Sequence, residues 1–236
     1  MIQAVLFDFN GVIIDDEPLH LRAYTDALKD EGITLTEADY RESFGMNDRR
    51  FVEAAYERAG IALDAATQER VIRREAELHR ALIVDDLPIF PGVVTFAKSL
   101  ARHYRLGIVS MARREEIEYV LERAGLDRAF DVIVSGEDVS VCKPDPECYN
   151  TGFLRLDEAR RRKGFTSLSP EECLAIEDSP PGIRSAHAAG MHTLGVTNTV
   201  KADELRAAGA EVVTANLADW TDDTVHHLFD SHSATR

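Results

Sequence analysis

The sequence predicts an α/β protein: a doubly wound parallel sheet of the Rossmann-like kind, carrying an inserted all-helical segment. Three observations lead there. Short, largely apolar runs recur along the chain, helix-period segments lie between them, and one long stretch from 18 to 87 is helical in pattern throughout. Parallel strands buried on both faces read as continuous apolar runs. Strands that alternate with helices build a parallel sheet whose ligands sit at the carboxyl ends of the strands.

Ala4-Val5-Leu6-Phe7, ending at Asp8, supplies the first strand. Similar runs follow at 106–109, 131–134, 173–176 and 192–196, with 211–213 a weaker one. Helix-period segments occupy 92–102, 114–124 and 180–189. Within the inserted stretch, helices are expected at 19–30, 37–44, 49–59 and 65–82. Gly32 and Gly60 punctuate that stretch as helix-ending glycines do. Leu87-Pro88-Ile89-Phe90-Pro91-Gly92 reads as the return linker. The expected division is therefore a core of 1–15 and 88–236 and a helical cap of 16–87, with hinges at 15–18 and 85–91. Arg160-Arg161-Arg162-Lys163 reads as a solvated basic loop, and 231–236 as a frayed tail.

Composition narrows the partners. The 236 residues are 44% hydrophobic, enough for a substantial core. A formal net charge of −15 argues against nucleic acid or an anionic membrane, since either would be repelled. A small anionic substrate stays open, because a local cation or metal can hold one. No apolar run approaches the roughly 18 residues that span a bilayer. The start, Met1-Ile2-Gln3-Ala4, lacks a basic segment and a cleavage site, so a cytoplasmic protein is expected. Three cysteines, an odd number, fit reduced structural thiols rather than a disulfide framework.

Four segments just past predicted strands carry the chemistry. In Asp8-Phe9-Asn10-Gly11, a carboxylate at a strand end precedes a glycine turn whose N–H groups can surround an anion. Ser110 follows the second strand and can hydrogen-bond a phosphoryl oxygen. Lys143 is a cation followed by Pro144. Glu177-Asp178 closes another strand, where two acids could bind a hard cation through oxygen. Each alone is weak, because a lone polar residue after a strand is commonly a cap or a surface group. Their order on successive strand ends makes the set specific.

That set resembles the haloacid dehalogenase superfamily, in particular its small-capped phosphatases and phosphomutases of the β-phosphoglucomutase type. Ile176-Glu177-Asp178-Ser179-Pro180-Pro181-Gly182-Ile183 matches the last family motif, and Asp15, Glu17, Pro18 and His20 look like its entry into the cap. The resemblance implies that Asp8 attacks phosphorus and becomes an aspartyl phosphate. It implies Mg²⁺ held by Asp8, the backbone carbonyl of Asn10 and Asp178, with Glu177 beside it directly or through water. Ser110 and Lys143 would hold phosphoryl oxygens. Gly11, Met111, Ala112 and Gly45 would line the substrate site, and the cap loop 44–49 would face it. Arg49 is the candidate for a second anion on the substrate, against a plain surface ion pair. His20 divides between a hinge role and proton transfer. The expected partner is a small phosphorylated metabolite, with sugar phosphates leading, and the expected state a monomer or weak homodimer.

Position 10 departs from the family pattern. The phosphatases carry aspartate there, to protonate the leaving group and activate water; this chain has Asn10, which can do neither. General acid–base catalysis is worth roughly 10²–10⁴-fold, so slow turnover is expected. A weakened phospho-ligand-binding protein and a mutase are the alternatives. A dehalogenase would leave Glu177-Asp178 without a task. A phosphonatase would need a cap lysine, and no lysine stands between Glu31 and Leu87.

Overall fold

The computed structural model describes residues 1–230, so the tail expected at 231–236 lies outside the described residues. The chain opens with β1 (Ala4–Phe7), then passes through α1 (Glu17–Lys29), α2 (Glu37–Arg41), α3 (Asp48–Ala59) and α4 (Ala65–Ile83) without a strand. It continues as α5 (Val93–Leu100), β2 (Arg105–Val109), α6 (Arg114–Arg123), β3 (Val132–Val134) and α7 (Glu147–Arg162). A 3₁₀ turn at Pro170–Glu172 leads into β4 (Cys173–Glu177), α8 (Pro180–Ala188), β5 (His192–Val196), α9 (Ala202–Ala208), β6 (Val212–Thr214) and α10 (Asp222–Asp230).

The strands form one parallel sheet in the order β3-β2-β1-β4-β5-β6. Order reverses between β1 and β4, the switch point at which open α/β sheets leave a crevice for ligands. Phe7 pairs with Ile108 on one side and Ile176 on the other. The next residues, Asp8, Ser110 and the pair Glu177-Asp178, therefore emerge together at the carboxyl edge. Register alone brings three of the four predicted segments to one place.

Both faces of the sheet are covered. Phe7, Ile108, Ile176 and Leu194 pack with Phe96 of α5 and Ile117 of α6, while Leu6, Val109 and Ala175 pack with Tyr149 and Leu156 of α7. The four inserted helices enclose an apolar cluster of their own, including Tyr24, Leu28, Phe51, Val52 and Val71. Entry and exit of the insertion run side by side: Asp15 N–H donates to Pro88 O at 2.7 Å and Phe90 N–H to Ile13 O at 3.1 Å.

Two expectations need correction. Helix α2 stops at Arg41 rather than 44, where the Ser43 hydroxyl takes the Asp39 carbonyl that a continuing helix would use. The basic run expected in a loop closes α7, with Arg160, Arg161 and Arg162 in its last turn and Lys163 at its cap. Cations suit a helix carboxyl end, and Asp157 and Glu158 one turn back pair with Arg161 and Arg162.

Phe7 is fully buried, with Phe96 and Phe130 edge-on at 6.1 and 5.7 Å. Phe7→Ala is expected to cost about 3–5 kcal/mol, read as a lowered urea midpoint with the slope of the transition unchanged.

Candidate active site

Asp8 begins where β1 ends. Its Oδ1 accepts from the Phe9 N–H at 2.7 Å, and its Oδ2 lies 3.0 Å from the Lys143 ammonium. Lys143 is buried, donates to the Val109 carbonyl at 3.2 Å and meets Glu177 Oε1 at 2.6 Å. Tyr149 O–H donates to the same Glu177 oxygen at 2.7 Å, and Ser179 O–H to the other at 3.4 Å. Asp178 accepts from the Thr199 hydroxyl. Two glycines make the room. A Cβ on Gly182 would overlap the Glu177 carboxylate, and one on Gly11, at φ +73°, would overlap that of Asp178.

Charge governs this cluster. Asp8, Glu177 and Asp178 have carboxylate oxygens within 4.8 Å of one another, and the Lys143 ammonium pairs with two of them, Asp8 and Glu177. Burial, then the Asp8 charge, pushes Glu177 up to about 7 against the pull of Lys143. Burial and the neighbouring Asp8 and Glu177 push Asp178 well above the carboxylate range. Burial opposes charge on Lys143, yet Asp8 and Glu177 outweigh it and hold the ammonium above its usual value. A carboxylate excess of this kind, at a strand edge, fits a hard divalent cation with oxygen ligands.

Over Asp8 lies a cavity of about 100 Å³. Asp8, Asn10, Ser110, Met111, Ala112, Lys143 and Asp178 line it from the sheet, and His20, Gly45 and Asn47 from the insertion. Ser110 is buried, its hydroxyl accepting from the Ala112 N–H at 3.1 Å. The insertion rests on the core through Asn47, whose N–H reaches Cys142 Sγ at 3.4 Å, and through Asp48, which meets Arg113 at 3.1 Å.

Behind Asn10 sits a second cluster. The Asn10 amide donates to both oxygens of Asp16 at 3.1 Å and to Glu116 at 3.3 Å. His20 donates through Nδ1 to Glu75 at 2.9 Å, and its Nε2 lies 3.2 Å from Glu116 and 3.5 Å from Asp16. Burial opposes charge on His20, but Glu116 and Asp16 hold its pKa well above the usual histidine value. Burial also works against ionised Asp16, which His20 and His79 nevertheless draw down to about 2.

Residues 2–190 match the family model of the haloacid dehalogenase-like hydrolases. The chain belongs to that family. Among relatives, the phosphorylated carbohydrates phosphatase of Thermotoga maritima is 28% identical over 84% of this chain and 87% of its own. Hexitol phosphatase B of Escherichia coli is 27% identical over 93% and 95%. The β-phosphoglucomutase of Clostridium difficile shares the fold with a TM-score of 0.86 at 20% identity, covering 99% of this chain and 100% of that one. CbbY from Rhodobacter sphaeroides, solved as an aspartate-to-asparagine variant with xylulose 1,5-bisphosphate, has a TM-score of 0.78 at 25% identity over 93% and 96%.

Within this haloacid dehalogenase-like site, the predicted residues divide. Asp8, Asn10, Ser110, Lys143, Asp178, His20, Gly45, Met111 and Ala112 meet at the cavity. Glu177 lies beneath it, bonded to Lys143 and Tyr149. Gly11 contributes the turn and gives its carbonyl to the Asn198 amide at 2.8 Å. Arg49 does not line the cavity over Asp8: it is exposed and paired with Glu69 at 2.6 Å. Sequence reading missed Asn198 and Thr199, although both follow β5 and the rule of strand ends would have found them. Glu116, Glu75 and His79 sit inside helices and give no such signal.

Glu17 also lines the cavity, accepting from Tyr40 O–H at 2.7 Å, and burial pushes it up to about 7. A carboxyl that prefers its proton when folded stabilises the fold below its unfolded value of 4.5 and loses that contribution as pH rises through about 7. Glu17→Gln is therefore expected to raise the melting temperature relative to the parent progressively across that window, and to leave it nearly unchanged below pH 4.5. Thermal melts over a pH series check it.

Proposed function

We propose that this protein is a Mg²⁺-dependent phosphoric-monoester hydrolase of a small phosphorylated carbohydrate, with Asp8 as nucleophile. The observation that carries the reading is the Asp8 carboxylate at the switch point, anchored by Phe9 N–H and Lys143 and next to Asp178. The phosphatase names of the Thermotoga maritima and Escherichia coli relatives support the substrate class.

Asp8 Oδ2 would attack phosphorus as the bond to the leaving oxygen breaks, giving an aspartyl phosphate that water then hydrolyses. Lys143 and Ser110 would hold the phosphoryl oxygens, and Met111 and Ala112 extend that cradle. Glu177 would position Lys143 rather than touch the substrate. Mg²⁺ would be held by Asp8, Asp178 and the Asn10 carbonyl, and when bound it supplies charge neutralisation for the transferring group. Asn10 cannot give the leaving oxygen its proton. Turnover would be slow and would favour good leaving groups.

Residues 16–87 would act as a cap on a core of 1–15 and 88–236. The space of about 100 Å³ over Asp8 is below the roughly 300–1,000 Å³ of ordinary small-molecule sites. A sugar phosphate would enter only when the insertion swings out on its paired linkers. Three free cysteines suit a cytoplasmic setting.

The test is phosphate release from a panel of phosphorylated carbohydrates, with and without Mg²⁺. Activity should require Mg²⁺ and vanish in Asp8→Asn; activity that survives that substitution sinks the covalent reading. Asn10→Asp should raise turnover by at least about tenfold, inside the range acid–base catalysis supplies. No release by either chain, together with tight binding of a sugar phosphate, would favour a binding protein instead.

A further inference from the structure

The cluster behind Asn10 draws on three helices. Asp16 stands just before α1, His20 on α1, His79 on α4 and Glu116 on α6, and one ligand atom from each lies within 4.8 Å of the others. All four are buried. From this geometry we propose a second metal site, distinct from the oxygen site at Asp8, which takes a borderline transition cation such as Zn²⁺ or Co²⁺ through two imidazoles and two carboxylates.

The donor set separates this site from the first. Imidazole with carboxylate suits zinc, cobalt and nickel, whereas an all-oxygen set suits magnesium. Two further observations point to a ligand. His79 is 2% exposed, and its Nε2 has no hydrogen-bond partner although it lies 3.4 Å from Asp16 Oδ2. A buried ring nitrogen left without a hydrogen bond calls for an ion or a water. His20 shows the outer support that metal-bound histidines share, with Nδ1 on Glu75 at 2.9 Å and Nε2 turned inward. The two rings stack at 3.8 Å, 10° apart, so one ring must turn for both nitrogens to meet one cation in plane.

The Asn10 amide lies against this cluster through Nδ2, a group that cannot ligate. Cation binding therefore turns the amide, which brings in Oδ1 as an oxygen donor or returns the side chain to the cavity. Either way, the site ties helices α1 and α4 of the insertion to α6 of the core and reaches residue 10.

The test uses the full chain, stripped with a chelator, desalted and held in saturating Mg²⁺ so that the oxygen site is filled. Zn²⁺ is then added, and bound metal is counted after gel filtration. The parent should retain one equivalent, Asp8→Asn should retain it too, and His79→Gln should bind at least about tenfold more weakly. Zn²⁺ held equally by the parent and His79→Gln, or lost in Asp8→Asn, overturns the proposal. If His79→Gln does not fold, imidazole ¹⁵N resonances of the parent decide. Shifts at His20 and His79 that saturate at one equivalent support the site, and unmoved resonances sink it.

Discussion

The Lys143 ammonium is the contact on which the carboxyl edge of the sheet depends. Parallel strands deliver Asp8, Glu177 and Asp178 to adjacent positions because their register is fixed by Phe7, Ile108 and Ile176. Three buried carboxylates that close would repel one another strongly in a medium of low polarity. Lys143 bridges two of them at 3.0 and 2.6 Å, Tyr149 donates to the Glu177 oxygen that Lys143 meets, and Ser179 and Thr199 hydrogen-bond the other Glu177 oxygen and Asp178. The balance is still incomplete, which is why Asp178 is driven so far toward its protonated form. A site poised in this way gains from added positive charge.

The insertion closes that site from above by a different kind of contact. Its helices are held together by their own apolar cluster, and they meet the core through polar pairs (Asn47 with Cys142 and Gly136, Asp48 with Arg113, His20 with Glu116) and through Ile83, Leu19 and Phe44, which pack into core clusters. Polar pairs of this sort exchange with water at little net cost. The two connecting segments run side by side, with Asp15 N–H donating to Pro88 O and Phe90 N–H to Ile13 O.

Much of this was legible in the sequence because it is local. Apolar runs marked every strand, and the residues immediately after β1, β2 and β4 lie where strand ends must lie in a parallel sheet. Helix α7 was less legible, since its arginine-rich end looks like a loop until its acidic partners one turn back are counted. Arg49 was misplaced for a related reason: loop position suggested the cavity, but helical phase at the start of α3 turns the side chain to Glu69. Clusters assembled from helix interiors, such as His20, His79 and Glu116, depend on tertiary docking, and one-dimensional spacing cannot announce them.

Asn10 is the residue where these strands of argument meet. Its side chain serves the second cluster, donating to Asp16 and approaching Glu116, so an amide at this position satisfies two buried acids. A carboxylate there would face both of them, and the like charges would favour its protonated form. That is the state a general acid needs before it protonates a leaving group. The surroundings of position 10 are thus suited to an acid while the residue present cannot act as one. The cost of restoring it falls on stability at higher pH, where the new carboxyl would ionise against Asp16 and Glu116. Asparagine at this position forgoes proton transfer and satisfies two buried acids where the insertion meets the core.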